Sequence, residues 1–269
     1  MALTPLSPLR TLALSAATTT LLAAAPPTPA QTSSASLAAP TRLHNIESLL
    51  PLDLEDAEPT EPGRFELHLP FRLQDERDDD NRFLFEPRVQ MGFAPRWHAS
   101  IGMPLIIGSS DRTNSGNIRG EVLFKPIDEG SLMPAIALVG ALDLPTGKDS
   151  DGLDTRWKLI ATKTLGVRPG EHQVHGNIVW RDNDDPRPDE RGDYFQFIIG
   201  YSTPFSARTL VVADVMRGHA REGGGMMTLF EVGVRQTLSE RTVLAVGLGT
   251  GDGDDAPKWR ITAGLQVGF

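Results

Sequence analysis

From Arg64 onward apolar and polar residues alternate with a period of two. Phe65, Leu67, Leu69, Phe71 and Leu73 fall on odd numbers, while Glu66, His68, Arg72 and Gln74 fall on even ones. A helix would scatter these side chains around its surface, whereas a strand puts them on opposite faces. The signature recurs in Phe83–Phe93, Trp97–Leu105, Ile118–Phe124, Ile136–Leu144, Trp157–Leu165, Val174–Trp180, Phe195–Tyr201, Val211–Val215, Phe230–Val234, Leu244–Leu248 and Trp259–Phe269. About twelve strands follow, an even number as in single-chain bacterial barrels. The connections alternate in length. Ala94–Arg96, Asp128–Ser131, Gly166–Gly170, Pro204–Arg208 and Ser239–Arg241 are short. Between them lie the longer polar stretches Asp75–Asn81, Ser109–Asn117, Thr146–Asp154, Asp182–Asp193, Gly218–Gly225 and Asp252–Pro257. A membrane barrel sorts its loops this way, with the short turns periplasmic, and a soluble β-sandwich has no reason to.

The aromatic residues sharpen this expectation. Trp97 opens the third strand at the periplasmic side, Trp157, Trp180 and Trp259 sit at extracellular strand ends, and Tyr201 lies at a periplasmic end. All share the parity of the apolar face, as a membrane girdle requires. Ile261, Ala263, Leu265, Val267 and Phe269 alternate to the last residue, so the chain ends on an aromatic of the lipid face, like the signal read by the barrel-assembly machinery.

The mean hydropathy of −0.21 and the 39% apolar content exclude helical spans but not a barrel, whose alternation averages to a soluble-looking value. A net charge of −9 argues against a nucleic-acid partner. The absence of cysteine excludes disulfides, thiolate metal sites and a lipidated cysteine anchor. Met1–Ala30 has the charge of Arg10, an apolar run from Thr11 to Ala25 and a small-residue end at Thr28-Pro29-Ala30, and it reads as a cleaved export signal. Residues 31–63 are Ser/Ala/Pro-rich and then acidic, with only Ile46–Leu54 able to form a short amphipathic turn; they read as a disordered periplasmic leader. The expected fold is therefore all-β: one antiparallel transmembrane β-barrel, a meander over residues 64–269 in the cell outer membrane.

Parity also assigns the lumen. Arg72, Glu86, Arg88, Arg119, Glu121, Lys158, Asp214, Glu231 and Arg235 are the expected pore-lining residues, with Glu66, His68, Lys125, Asp143, His175, Arg181 and Arg260 on the same face. Any such barrel must turn its charges inward. The mixture of signs favours ion-paired rows over a single-sign selectivity ring. Arg72, Arg88, Arg119 and Arg235 are expected to line a constriction. Catalysis finds no support. His68, His98 and His175 have lumenal parity and no serine lies on an outward stretch beside them, while His172 and His175, three apart on a strand, face opposite ways. Asp149–Asp154 and Asp252–Asp255 read as solvated acidic loops; the first has Ile160 where a calcium loop needs its twelfth-position Glu. Gly247–Gly251 lies in a strand and its loop, so it is no phosphate cradle. No catalytic residue, cofactor or resident metal is expected.

Ala141-Leu142-Asp143-Leu144-Pro145-Thr146-Gly147, where a strand runs into a loop, and Leu229–Phe269, with its turn Leu238–Arg241, its loop start Gly249-Thr250-Gly251-Asp252 and its final strand opening at Ala256–Arg260, carry a family resemblance. The chain resembles the transporter-type outer-membrane barrels of the phenol-degradation MetA pathway. The resemblance implies passage of small molecules, aromatic or apolar ones among them. Two other readings stand beside it: a non-conducting structural or ligand-binding outer-membrane barrel, and a soluble periplasmic β-barrel that binds a ligand. The partners expected of the barrel are outer-membrane lipid, lipopolysaccharide and the assembly machinery.

Overall fold

The computed structural model describes residues 45–75, 81–107, 114–147, 152–166, 172–188, 190–222, 224–253 and 255–269, so the expected export signal and residues 31–44 of the expected leader lie outside the described residues. Fifteen strand segments form one antiparallel sheet: β1 (Phe65–Asp75), β2 (Asn81–Phe85), β3 (Arg88–Ala94), β4 (Trp97–Gly102), β5 (Leu105–Ile107), β6 (Asn114–Ser115), β7 (Ile118–Ile127), β8 (Ala135–Leu144), β9 (Asp154–Leu165), β10 (His172–Asp182), β11 (Asp193–Ser206), β12 (Thr209–Gly218), β13 (Met227–Ser239), β14 (Thr242–Asp252) and β15 (Trp259–Gly268). Segments β2 and β3, β4 and β5, and β6 and β7 are halves of three interrupted staves, which gives a closed barrel of 12. Closure runs from Glu66↔Gly268 to Asp75↔Trp259 between β1 and β15.

Two of the three interruptions fall at proline, which has no N–H to give to a ladder. Pro87 separates β2 from β3 and Pro104 separates β4 from β5. Their carbonyls still accept: the Met103 N–H donates to Pro87 O at 3.3 Å and the Gly116 N–H to Pro104 O at 2.7 Å. On the neighbouring stave the Glu86 N–H reaches Pro70 O at 3.2 Å. The wall is thus interrupted along a proline line while staying hydrogen-bonded. At one barrel end the turns are tight, as at Pro95–Arg96, Ala207–Arg208 and Glu240–Arg241. Arg96 adopts a φ of 72° directly after Pro95, the backbone of a two-residue reversal. The β7–β8 connection spans 128–134 and so takes in Leu132–Pro134 beside the expected Asp128–Ser131.

The two faces invert the arrangement of a soluble protein. Ile199, Ile101, Leu248 and Trp157 are among the exposed residues, with Ile199 at 73%, whereas Arg235 is fully buried. Aromatic rings cluster on the outward face: Trp97 stacks on Phe124 at 4.1 Å and Phe71 on Phe85 at 4.4 Å. Trp157, Tyr201, Trp259 and Phe269 are likewise exposed, and Trp180 is half-buried beside Phe195. Such a surface is stable only against hydrocarbon. Ile199 sits mid-way along β11, so Ile199→Arg should lower unfolding stability by about 2–4 kcal/mol in lipid. Urea titration of the reconstituted protein measures this; an unchanged midpoint would place that face in water.

Candidate lumenal site

The expected disordered leader is overturned over residues 45–63. This segment is ordered and lies inside the barrel as a hairpin, with Ile46, Leu50, Leu52, Leu54 and Ala57 fully buried. Composition misleads here because the lumen engages the acids: Asp53, Glu55 and Glu58 meet cations of the wall, while Glu47 and Asp56 accept hydrogen bonds from uncharged donors. Its two arms are tied together. The Asp56 N–H donates to Ile46 O at 3.0 Å, and the Asp56 carboxylate accepts from the amides of Ile46 at 2.7 Å and Glu58 at 2.9 Å.

One arm rises from the short-turn end. Pro62 bridges Gly92, and the Gly63 N–H donates to Gly92 O at 2.7 Å. Lys125 pairs with Glu58 at 3.0 Å, the Thr60 N–H donates to His98 Nδ1 at 3.2 Å, and the Ala57 N–H donates to Thr162 Oγ1 at 3.0 Å. Higher up, Glu55 forms a close ion pair with buried Lys158, and its backbone exchanges both hydrogen bonds with the Asn177 amide, at 2.9 and 2.8 Å. The apex is Asp53, held by Arg72 at 2.7 Å and Arg260 at 2.8 Å. On the descending arm Arg235 donates to Leu50 O at 2.5 Å, Arg88 to Ser48 O at 2.6 Å, and Gln90 to Glu47 at 2.9 Å. Ile46, Leu52 and Leu54 join Ile198, Leu210, Val212, Met216 and Leu229 in an apolar cluster. The fit requires bare backbone on the wall: a Cβ on Gly200, Gly233, Gly247 or Gly264 would collide with Leu54, Pro51, Leu52 or Leu50.

The nine residues expected along the pore all lie on the inner face, buried or half-buried. The expected arginine constriction is replaced by ligation of the hairpin. Arg72, Arg88 and Arg235 hold residues 48–53, while Arg119 belongs to the wall, pairing with Asp143 at 2.6 Å and Glu86 at 3.2 Å. Glu121 forms a close pair with Arg156. Arg156, Thr162 and Asn177 were missed, although the parity of the Trp157–Leu165 strand extends one residue back to Arg156. The hairpin's own Glu47, Asp53 and Glu55 had no signal, since their partners lie on distant strands. Buried Asp214 faces Glu231 across the β12–β13 pair.

The histidines do structural work. His175 Nε2 meets Ser202 Oγ at 2.9 Å and its Nδ1 meets Thr162 Oγ1 at 3.2 Å, a chain that ends on the Ala57 amide and holds no carboxylate. Two buried groups, Glu47–Glu66–His68 and Glu55–His98–Glu121, bring three donor atoms within 4.8 Å. Their carboxylates are already engaged by Gln90, Gln266, Lys158 and Arg156. His98 Nδ1 accepts from an amide, so neutral imidazole carries its proton on Nε2 and has no lone pair there for a metal. At the long-loop end Arg221 ties three elements together, donating to Asp154 at 2.7 Å and Asn183 at 2.9 Å and pairing with Glu190 at 3.1 Å. Asp149–Asp151 and Asp254 of the acidic loops lie outside the described residues; Asp255 accepts from the Gly225 N–H at 2.7 Å.

Three outcomes follow from this geometry. Glu55→Gln leaves buried Lys158 unpaired and should weaken hairpin docking by about 3–5 kcal/mol, read as faster hydrogen exchange across residues 45–63; the double variant Glu55→Leu/Lys158→Met should recover much of it. Gly233→Val should displace Pro51 and speed proteolysis of residues 45–63 at least ten-fold while the barrel keeps its heat-modifiable band; an unchanged rate would remove the hairpin from that position. At the loops, partial burial raises the Glu190 carboxyl, but hydrogen bonds from Arg221 and Asn183 outweigh this and hold it below its ordinary value of 4.5. Its contribution to loop closure is complete above that value and is lost as pH falls below it. Loop hydrogen exchange should therefore quicken in acid, and Glu190→Gln should abolish that step.

No protein-family model matches the sequence, and no curated protein matches it either. Solved structures do. The chain is similar to the KdgM porin (TM-score 0.55, 11% identity, 76% of this chain and 99% of that one). It is similar to the NanC porin (TM-score 0.55, 7% identity, 76% and 98%). It is also similar to the COG4313 outer membrane channel from Pseudomonas putida F1 (TM-score 0.59, 13% identity, 80% and 98%). The fold is that of outer-membrane β-barrel channels.

Proposed function

We propose that this chain is an outer-membrane channel for small molecules, aromatic or apolar ones among them, closed at rest by its own residues 45–63. One observation carries the reading: the hairpin is bound, not woven in. Among the described residues its bridges to strands reduce to Pro62↔Gly92, and side chains make its other wall contacts. It can leave without breaking the ladder that keeps the barrel closed. Barrels of about eight strands are filled by side chains and those of 16 or more hold water. Twelve leave room for one peptide hairpin, and hence for a small solute once it moves. Both arms of the hairpin lead to the short-turn end, which is periplasmic in bacterial barrels. The plug is thus inserted from inside the cell envelope.

Phe269 belongs to the same reading. It ends the outward row of β15 and donates its N–H to Phe65 O at 2.9 Å, so the residue offered to the assembly machinery is also the last stitch of the seam. The competing reading, a non-conducting barrel, draws on the ion pairs that saturate the lumen. Planar-bilayer recording decides between them. Deleting residues 45–57 should raise single-channel conductance several-fold over the full chain, with lipopolysaccharide-containing membranes giving the same order. If neither protein conducts, the barrel is structural.

A further inference from the structure

The apex of the hairpin is a carboxylate seated in a site that the wall builds without it. Each oxygen of Asp53 takes one guanidinium: Oδ1 accepts from Arg72 Nη2 at 2.7 Å and Oδ2 from Arg260 Nη1 at 2.8 Å. The inner nitrogens of both arginines are fixed by the wall. Arg72 Nε donates to Thr262 Oγ1 at 3.4 Å and Arg260 Nε to Gln74 Oε1 at 3.1 Å. Those partners stand directly across the closing β1–β15 seam, Arg72 opposite Thr262 and Gln74 opposite Arg260. The clamp is therefore preorganised by the strands, and with Asp53 in place both arginine side chains are no more than 10% exposed. Charge-assisted hydrogen bonds from pre-positioned guanidiniums are the strong kind.

The residues flanking Asp53 give the bound group its body. Leu52 and Leu54 pack into the apolar cluster with Leu210, Val212 and Leu229. Leu52-Asp53-Leu54 thus presents one carboxylate on an apolar frame. We propose that Arg72 and Arg260 form a lumenal binding site for small monocarboxylates with an apolar body, which Asp53 occupies as a tethered stand-in. Withdrawal of the hairpin uncovers the clamp and the apolar patch together. The neighbouring acids limit the charge the site accepts: Glu231 lies 3.5 Å from Arg260, and Asp214 faces Glu231 across the sheet. A second negative charge on the solute meets this pair, so monocarboxylates are favoured over dicarboxylates. The inference rests on the channel reading for its purpose, giving that channel a substrate class, but the binding itself is measured without transport.

The probe is benzoate, with benzamide as its neutral isostere and phthalate as a dicarboxylate, titrated calorimetrically into the purified full chain in detergent. Asp53→Ala should bind benzoate at least ten-fold more tightly than the unsubstituted chain, with benzamide and phthalate each at least ten-fold weaker. Adding Arg72→Gln should lose the benzoate affinity by at least ten-fold. Asp53→Asn, which keeps the side-chain shape, repeats the first comparison, and a heat-modifiable band shows that each variant is folded. Absence of benzoate binding to both folded Asp53 variants, equal binding of benzamide, or indifference to Arg72→Gln overturns the proposal. Failure of the channel reading would appear instead as absent conductance with benzoate binding intact.

Discussion

In hydrocarbon no water satisfies a backbone amide, and the other features of this molecule follow from that constraint. A sheet crossing the membrane must close on itself. Here β1 closes with β15 over ten paired positions from Glu66↔Gly268 to Asp75↔Trp259. The same demand explains how the wall tolerates Pro70, Pro87 and Pro104. Each removes a donor, yet each keeps its carbonyl engaged by an amide of the next stave. Pro87 and Pro104 break staves into segments but leave the ring closed.

Closure sets the faces, and the faces create the lumen's problem. With Ile199, Ile101 and Leu248 turned to lipid, the alternate positions bring Arg235, Lys158, Glu121 and Asp214 into a confined interior. An unpaired charge there is costly. Part of the answer is within the wall, as in Arg119 with Asp143 and Glu86. The rest comes from the hairpin, whose acids meet Lys125, Lys158, Arg72 and Arg260 and whose carbonyls meet Arg88 and Arg235. Residues 45–63 complete the charge balance of the barrel as well as filling it.

The wall was legible because its code is local. Residues two apart share a face, so Leu67, Leu69 and Phe71 announce themselves whatever lies across the sheet, and the girdle tryptophans follow from parity plus position. The contents of the lumen were not. Arg72, Arg88 and Arg235 could be placed on the inner face by parity, but their partners could not, because a side chain's face says nothing of what comes to meet it. The hairpin has no periodicity of its own. Its Pro-rich, acidic composition matches that of an unfolded tail, and the cations that order it are remote in sequence: Arg260 lies 207 positions from Asp53 and Lys158 103 from Glu55. An acidic segment followed by a barrel with surplus inward arginines is a signal that can be read only once the two are considered together.

The chemistry of that union bears on how the barrel works. A plug of apolar residues alone would be held by burial, with no bond that a solute could exchange for its own. A plug hydrogen-bonded as an extra strand would be part of the wall. Residues 45–63 take a third course: apolar packing on one side through Ile46, Leu52 and Leu54, and charge-assisted bonds elsewhere through Asp53, Glu55 and Glu58. On the proposed channel reading bonds of the second kind are the exchangeable ones, because another carboxylate, or water, can take each guanidinium or ammonium in place of the segment. The barrel's backbone is indifferent to the exchange. The wall and its contents are thereby held by different interactions, backbone ladder for the one and side-chain bonds and packing for the other, so a closed sheet holds a ligand made from its own chain.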